Sequence, residues 1–242
     1  MLFPGLEPQR PVCYWRPFEG TRQLGDQAAQ ANLLHELGIA YYDRKDFDAA
    51  ARYAEMSLPH FDAIGDLQGR GEVLIALGHA LMDAERYEEA VQPLGSALEI
   101  AEGVNDAFAQ GLSHNALGLL YAKLGRFEQA YPHFDQALRF DREVGEEIGE
   151  GFVLNNLANA YFDSGRVDEA IGTHRQALEF RRKIRHRQGE GASLRALGRV
   201  LQHVGSLEGA RQALQEALAV FEELGHDEAA EVRAELDGLP TS

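Results

Sequence analysis

The stretch Ala116-Leu117-Gly118-Leu119-Leu120-Tyr121 returns forty residues later as Asn156-Leu157-Ala158-Asn159-Ala160-Tyr161. Extended in both directions, the alignment gives five copies without drift. Leu37, Leu77, Leu117, Leu157 and Leu197 each precede a small residue, at Gly38, Gly78, Gly118, Ala158 and Gly198. Three places after that small residue stands Tyr41, Leu81, Tyr121, Tyr161 or Leu201, and twelve places after it stands Ala50, Ala90, Ala130, Ala170 or Ala210. A further column reads Ser57, Ala97, Ala137, Ala177 and Ala217, each followed by leucine. A fixed period of this length is the mark of stacked supersecondary units, each of which buries its apolar face only against its neighbours.

Each copy predicts two helices. Leu34, Leu37, Gly38 and Tyr41 recur at helical spacing on one stripe, as do Ala50, Ala54, Ser57 and Leu58. The polar turns between the stripes, such as Arg44-Lys45-Asp46, Ala84-Glu85-Arg86 and Leu124-Gly125-Arg126, are short enough to force antiparallel neighbours. Between copies, Gly65-Asp66, Asn105-Asp106 and Gly145-Glu146 pair a left-handed helix stop with an acidic residue suited to capping the next helix. Arg185-His186 departs from that pattern, so an irregular junction is expected there. The small residues of the Gly38 and Ala50 columns let the two helices of a hairpin approach closely.

The Leu-Gly pair, the following tyrosine, and the phrases GRFEQA and ALRF within residues 117–140 resemble tetratricopeptide repeats. The resemblance covers roughly residues 26–224. The forty-residue period exceeds the usual ~34 and is similar to the longer-helix variety found in spindle-orientation scaffolds, kinesin light chains and bacterial regulators. It implies an all-α, right-handed α-solenoid of five helix-turn-helix hairpins with terminal capping helices. It also implies a concave face, lined by the first helix of each hairpin, that holds a peptide or partner segment. The alternative is a regulatory or self-assembling module acting on a separate effector protein. Residues 1–25 are expected to form an irregular, Pro-rich segment with a short capping helix over Pro17–Leu24, and residues 225–242 a capping helix and tail. Phe3, Tyr14 and Trp15 either pack on the first hairpin or serve as a docking arm.

A face about 100° from the core stripe runs at i, i+4, i+7 along each first helix and should line that groove. It reads His35, Ile39, Tyr42, then Ile75, His79, Met82, then Asn115, Leu119, Ala122, then Asn155, Asn159, Phe162, then Arg195, Arg199, Gln202. The groove is therefore expected to begin apolar and aromatic, become amide-rich and end basic. Asn115, Asn155, Asn156 and Asn159 are costly in helix interiors relative to alanine. Their carboxamides suit the main chain of an extended peptide, although the same groups could bridge adjacent helices. Arg195 and Arg199, one turn apart, could clamp a carboxylate or phosphate.

Composition restricts the remaining possibilities. A net charge of -16 argues against nucleic acid or an anionic membrane as partner over the surface as a whole. The basic run Arg181–Arg187, RRKIRHR, is either a contact for an acidic partner or nucleic acid or, as expected here, an exposed helix end whose cations are favoured by the C-terminal dipole. No apolar stretch approaches a membrane span and no secretory leader is recognisable, so a cytoplasmic protein is expected. Cys13 is the one cysteine, which leaves neither an intrachain disulfide nor a thiolate zinc site. Nine histidines occur without HExxH, and neither GxSxG nor a phosphate loop is present. The expectation is a binding protein, not an enzyme, with no cofactor and no metal, and with self-association left open. His114, in a column otherwise held by leucine, is expected to be a buried and satisfied side chain.

Overall fold

A computed structural model describes residues 26–240 of the chain. Among them are eleven helices and no strand. They fall into two compact units, the first ending at Ala109 and the second beginning at Gln110. The first unit holds α1 (Gln27–Asp43), α2 (Phe47–Ile64), α3 (Leu67–Asp83) and α4 (Tyr87–Gly103). The boundary falls inside α5 (Ala107–Lys123). The second unit continues with α6 (Phe127–Val144), α7 (Glu147–Asp163), α8 (Val167–Lys183), α9 (Arg187–His203), α10 (Leu207–Leu224) and α11 (Glu228–Asp237). Odd-numbered helices carry the small-residue column and even-numbered ones the alanine column. The expected N-terminal capping helix, with Phe3, Tyr14 and Trp15, lies outside the described residues.

Local chemistry sets where the helices begin and end. Asp26, Asp46, Asp66 and Asp106 each accept the backbone N–H three residues on, at 3.0, 3.1, 2.9 and 3.0 Å. Each bond satisfies one of the donors that a helix start leaves orphaned, worth about 1 kcal/mol. Every turn contains one left-handed residue, and these recur each twenty places: Lys45, Gly65, Glu85, Asn105, Gly125, Gly145, Gly165, Arg185, Gly205 and Gly225. The expected irregularity at Arg185 is absent. Arg185 takes φ 58, and His186 donates to the Arg181 carbonyl at 2.9 Å, as Asp66 does to that of Phe61 at 3.2 Å. Stacking on both sides fixes the turn, and the non-glycine residue adopts the strained conformation that the register demands.

The core of each hairpin forms where the small-residue column meets the following helix. A Cβ at Gly78 would lie 2.3 Å from Leu94, at Gly118 2.8 Å from Phe134, and at Gly198 2.8 Å from Leu214. Glycine is therefore required at these places by a large side chain from the even-numbered helix, which fills the space an alanine would need. At the other end of the hairpins, α11 closes the last apolar face. Val232 and Leu239 are buried with Leu194, Leu214 and Phe221.

The basic run is not an exposed helix end as a whole. Arg181 is 1% exposed and donates to the carbonyls of Gly189 and Gly151, at 2.5 and 2.9 Å, and to Ser193 Oγ at 3.0 Å. Its guanidinium also lies over the Phe152 ring, 5.2 Å from the centroid. Burial lowers its pKa to about 10, so it remains a cation in a pocket of carbonyl oxygens. Arg182 reaches Glu190 and Glu216, and Arg187 reaches Glu190 and Glu223. Three of the cations in the run, Arg181, Arg182 and Arg187, are thus partnered by the hairpins it joins.

Candidate functional site

In the first unit, α1, α2 and α3 surround a cavity of about 150 Å³ lined by His35, Gly38, Ile39, Tyr42, Ala50, Ala54, Ala76 and His79. Its origin is a single column. The residues that project onto the small column are Ala54, Leu94, Phe134, His174 and Leu214. At Gly38 the nearest atom to an added Cβ is the Ala50 carbonyl oxygen, at 3.4 Å, because Ala54 stops short of the space that leucine or phenylalanine fills elsewhere. Ile39 forms one wall and is 41% exposed, so the cavity reaches the face that carries His35 and Tyr42. Tyr42 donates its hydroxyl to Asp83, tying α1 to α3 at the rim. Burial pushes the pKa values of His35 and His79 down against the opposing pull of Glu36, Glu72 and Asp83. Met82, expected to line the groove, is 6% exposed and belongs to the core.

In the second unit a cleft of about 450 Å³ is lined by residues of α5, α7, α9 and α11. Asn155, Asn156, Asn159, Phe162, Arg195 and Arg199 all border it. Their roles differ. Asn156 donates its amide to Asn115 Oδ1 at 3.1 Å, bridging α7 and α5. Asn155 Oδ1 accepts from the Nδ1 of buried His174 at 3.1 Å. Burial, reinforced by the Arg181 charge, drops the His174 pKa to about 4, so this imidazole is neutral at pH 7 and needs that acceptor to fix its tautomer. Asn115, Asn155 and Asn156 thus spend a polar group on neighbouring helices. Asn159 sits exposed in the cleft, Phe162 packs edge-on against His203 at 4.9 Å, and Gln202 is exposed.

The basic end of the face meets the chain's own acids. Arg195 reaches Glu228, Glu231 and Glu235 of α11 at 3.1, 2.7 and 2.6 Å, and Arg199 reaches Glu235 at 2.5 Å. The pair expected to clamp a partner's carboxylate therefore already holds Glu235, which stands forty residues after Arg195, in the same column. The Arg195 side chain is mostly buried by this contact, whereas that of Arg199 is mostly exposed.

Two features escaped the sequence reading. One is the cavity beside Gly38, whose signal is the lone alanine at Ala54 in a column of larger residues. The other is an apolar ledge in the second unit formed by exposed Leu112, Ile148 and Phe152. These residues extend the Asn115 and Asn155 stripes toward the helix starts at i, i+3 or i, i+4, i+7 spacing. His114 is only half-buried, and its Nδ1 lies 2.9 Å from that of His133. Burial lowers both pKa values, that of His114 to about 4, so one neutral ring donates and the other accepts. Among the described residues no group of three His, Cys, Asp or Glu side chains could hold a metal, and no helix is long and apolar enough to cross a membrane.

Comparison with known proteins agrees with the helical hairpins. Among curated proteins none matches the chain. Among solved structures, BtubC (BKLC) from P. vanneervenii is similar over 96% of this chain and 92% of its own, at 21% identity and a TM-score of 0.68. A putative kinesin light chain from Podosopora anserina, with nearly identical TPR-like repeats, is similar over 79% of this chain and 94% of its own, at 20% identity and a TM-score of 0.63. The Rap conjugation gene regulator of plasmid pLS20, solved in complex with the Phr* peptide, gives 17% identity and a TM-score of 0.72 over 90% of this chain and 59% of its own. At such identities the likeness establishes the fold, an all-α solenoid of helical hairpins. Profiles described as tetratricopeptide repeat match residues 30–58, 69–143 and 150–223. The chain belongs to the tetratricopeptide repeat family.

Proposed function

We propose that the chain is a protein-interaction module, and that its second unit takes an extended segment of a partner protein in the cleft beside Asn159. The observation that carries this reading is the lining of the cleft: carboxamides at Asn155, Asn156 and Asn159 beside Leu119 and Phe162. An exposed asparagine in a helix interior costs stability relative to alanine, and its donor and acceptor fit a peptide main chain. The Rap structure with its Phr* peptide supports a peptide as the class of ligand. Binding, and not catalysis, is the activity proposed.

A second, regulatory reading rests on α11. A partner acid that engages Arg199 and Arg195 competes with Glu235, so its binding is coupled to the seating of α11. The test begins with proteins captured from the native host by the immobilised full chain and identified by mass spectrometry. Calorimetry then compares wild type with Asn159→Ala, Phe162→Ala. Asn155 is left intact because its loss would strand buried His174. A net hydrogen bond of about 1 kcal/mol together with lost aromatic area predicts at least tenfold weaker binding, with circular dichroism confirming the helices. Unchanged affinity would remove the cleft from the interface.

A further inference from the structure

The cavity beside Gly38 is a gap that the repeat itself closes elsewhere. Leu94, Phe134 and Leu214 each insert against the matching glycine. Ala54 does not, and a space of about 150 Å³ is left beside Gly38. Its walls, apart from two imidazole rings and the Tyr42 phenol, are aliphatic or backbone. An apolar recess of this size suits an apolar side chain, because its aliphatic walls offer water few polar partners.

The surroundings narrow the class of occupant further. Glu36 and Glu72 lie close enough to His35 to act on its charge, and Asp43 and Asp83 do the same at Tyr42. Over residues 26–109 there are sixteen Asp and Glu against five Lys and Arg. Of those five, Arg70 is held by Asp62 and Arg86 by Asp48 and Glu89. The field at the mouth is negative, so a cationic flank is drawn to it and an acidic one is repelled.

We infer that the Gly38 cavity is an anchor site for one leucine- or phenylalanine-sized side chain of a partner segment, flanked by lysine or arginine. The guest takes the place that Leu94, Phe134 and Leu214 take in the other hairpins, entering from the face beside Ile39. This deepens the reading of the chain as a peptide-binding module and rests on it, but the cavity lies in the first unit and the Asn159 cleft in the second. The two sites therefore fail or succeed separately.

The experiment uses the full chain and three capped tripeptides, Ac-Arg-Leu-Arg-NH2, Ac-Arg-Ala-Arg-NH2 and Ac-Glu-Leu-Glu-NH2, titrated at low salt while the His35 and His79 imidazole signals are followed by NMR. The arginine–leucine peptide should shift both signals saturably. The alanine peptide and the glutamate peptide should each bind at least tenfold more weakly. Ala54→Leu should abolish the saturable shift, with circular dichroism confirming the helices. Glu36→Gln, Glu72→Gln, both on the exposed surface, should leave the fold untouched and weaken the arginine–leucine peptide severalfold. Equal binding of the leucine and alanine peptides, full binding by Ala54→Leu, or no saturable shift in wild type would each overturn the assignment. The Asn159→Ala, Phe162→Ala result is unaffected by any of these outcomes, so loss of the anchor site does not dispose of the cleft.

Discussion

The first and third hairpins have the same turns, the same glycine in the odd-numbered helix and the same alanine twelve residues later, yet one holds a cavity where the other holds core. Phe134 fills the space against Gly118, whereas Ala54 leaves the space against Gly38 open. A repeat fold can therefore open a cavity without altering its backbone, by shortening one side chain in a column that Leu94, Phe134 and Leu214 fill. The cost is local, because solenoid stability is close to a sum over hairpins and their interfaces. A second column shows the same freedom with charge. The positions Phe61, Ala101, Asp141, Arg181 and Phe221 run from aromatic ends to ionisable residues in the middle, and the backbone stays in register throughout.

The largest effect expected from this comparison is at Phe134, which is fully buried. Phe134→Ala should bring the cavity of the first hairpin into the third and cost about 3–5 kcal/mol, the range for deleting a buried aromatic ring. Urea unfolding measures it. A loss below 1 kcal/mol would mean that the third hairpin collapses around the gap, and the comparison would break, since the first hairpin does not.

The second column makes a pH-dependent prediction. Asp141 is buried in α6, and its Oδ2 has no hydrogen-bond partner. Burial first, then Glu146 and Glu150, raise its pKa from 3.8 to about 6. Folding therefore favours the protonated acid, so this group's contribution is greatest below pH 4 and declines as pH rises through 6. Asp141→Asn keeps the shape without the charge. It should raise stability at pH 7 by roughly 2 kcal/mol and flatten the dependence between pH 4 and 6 in thermal melts. Equal gains at pH 4 and pH 7 would assign the effect to packing.

The fold was legible because its signals are local and repeated. Leucine, small residue, tyrosine and alanine return every forty residues, and the acidic caps at Asp66, Asp106 and Glu146 mark where each hairpin begins. The left-handed conformation at Arg185 was not legible, since stacking and not residue type imposes it. The candidate site was legible only as a stripe. Helical spacing put His35 and Tyr42 on one stripe of α1 and Asn155 and Asn159 on one stripe of α7, but spacing says nothing about what stands opposite. Met82 is covered by a neighbouring helix, Arg195 is held by glutamates forty residues away, and Asn155 serves a buried histidine. The Gly38 cavity was present in the sequence as Ala54 against Leu94, Phe134 and Leu214. A departure from a column in a single copy carries no periodic signal, which is why the spacing alone does not reveal it.

If Ala54 alone converts core into cavity, Ala54→Leu must turn the cavity back into core. Melting of the wild type and the variant, each with and without saturating benzene, is the measurement. Benzene should raise the wild-type melting temperature, Ala54→Leu should gain about 1 kcal/mol by filling the space, and benzene should then add nothing. A variant less stable than wild type that still responds fully to benzene would contradict that role for Ala54.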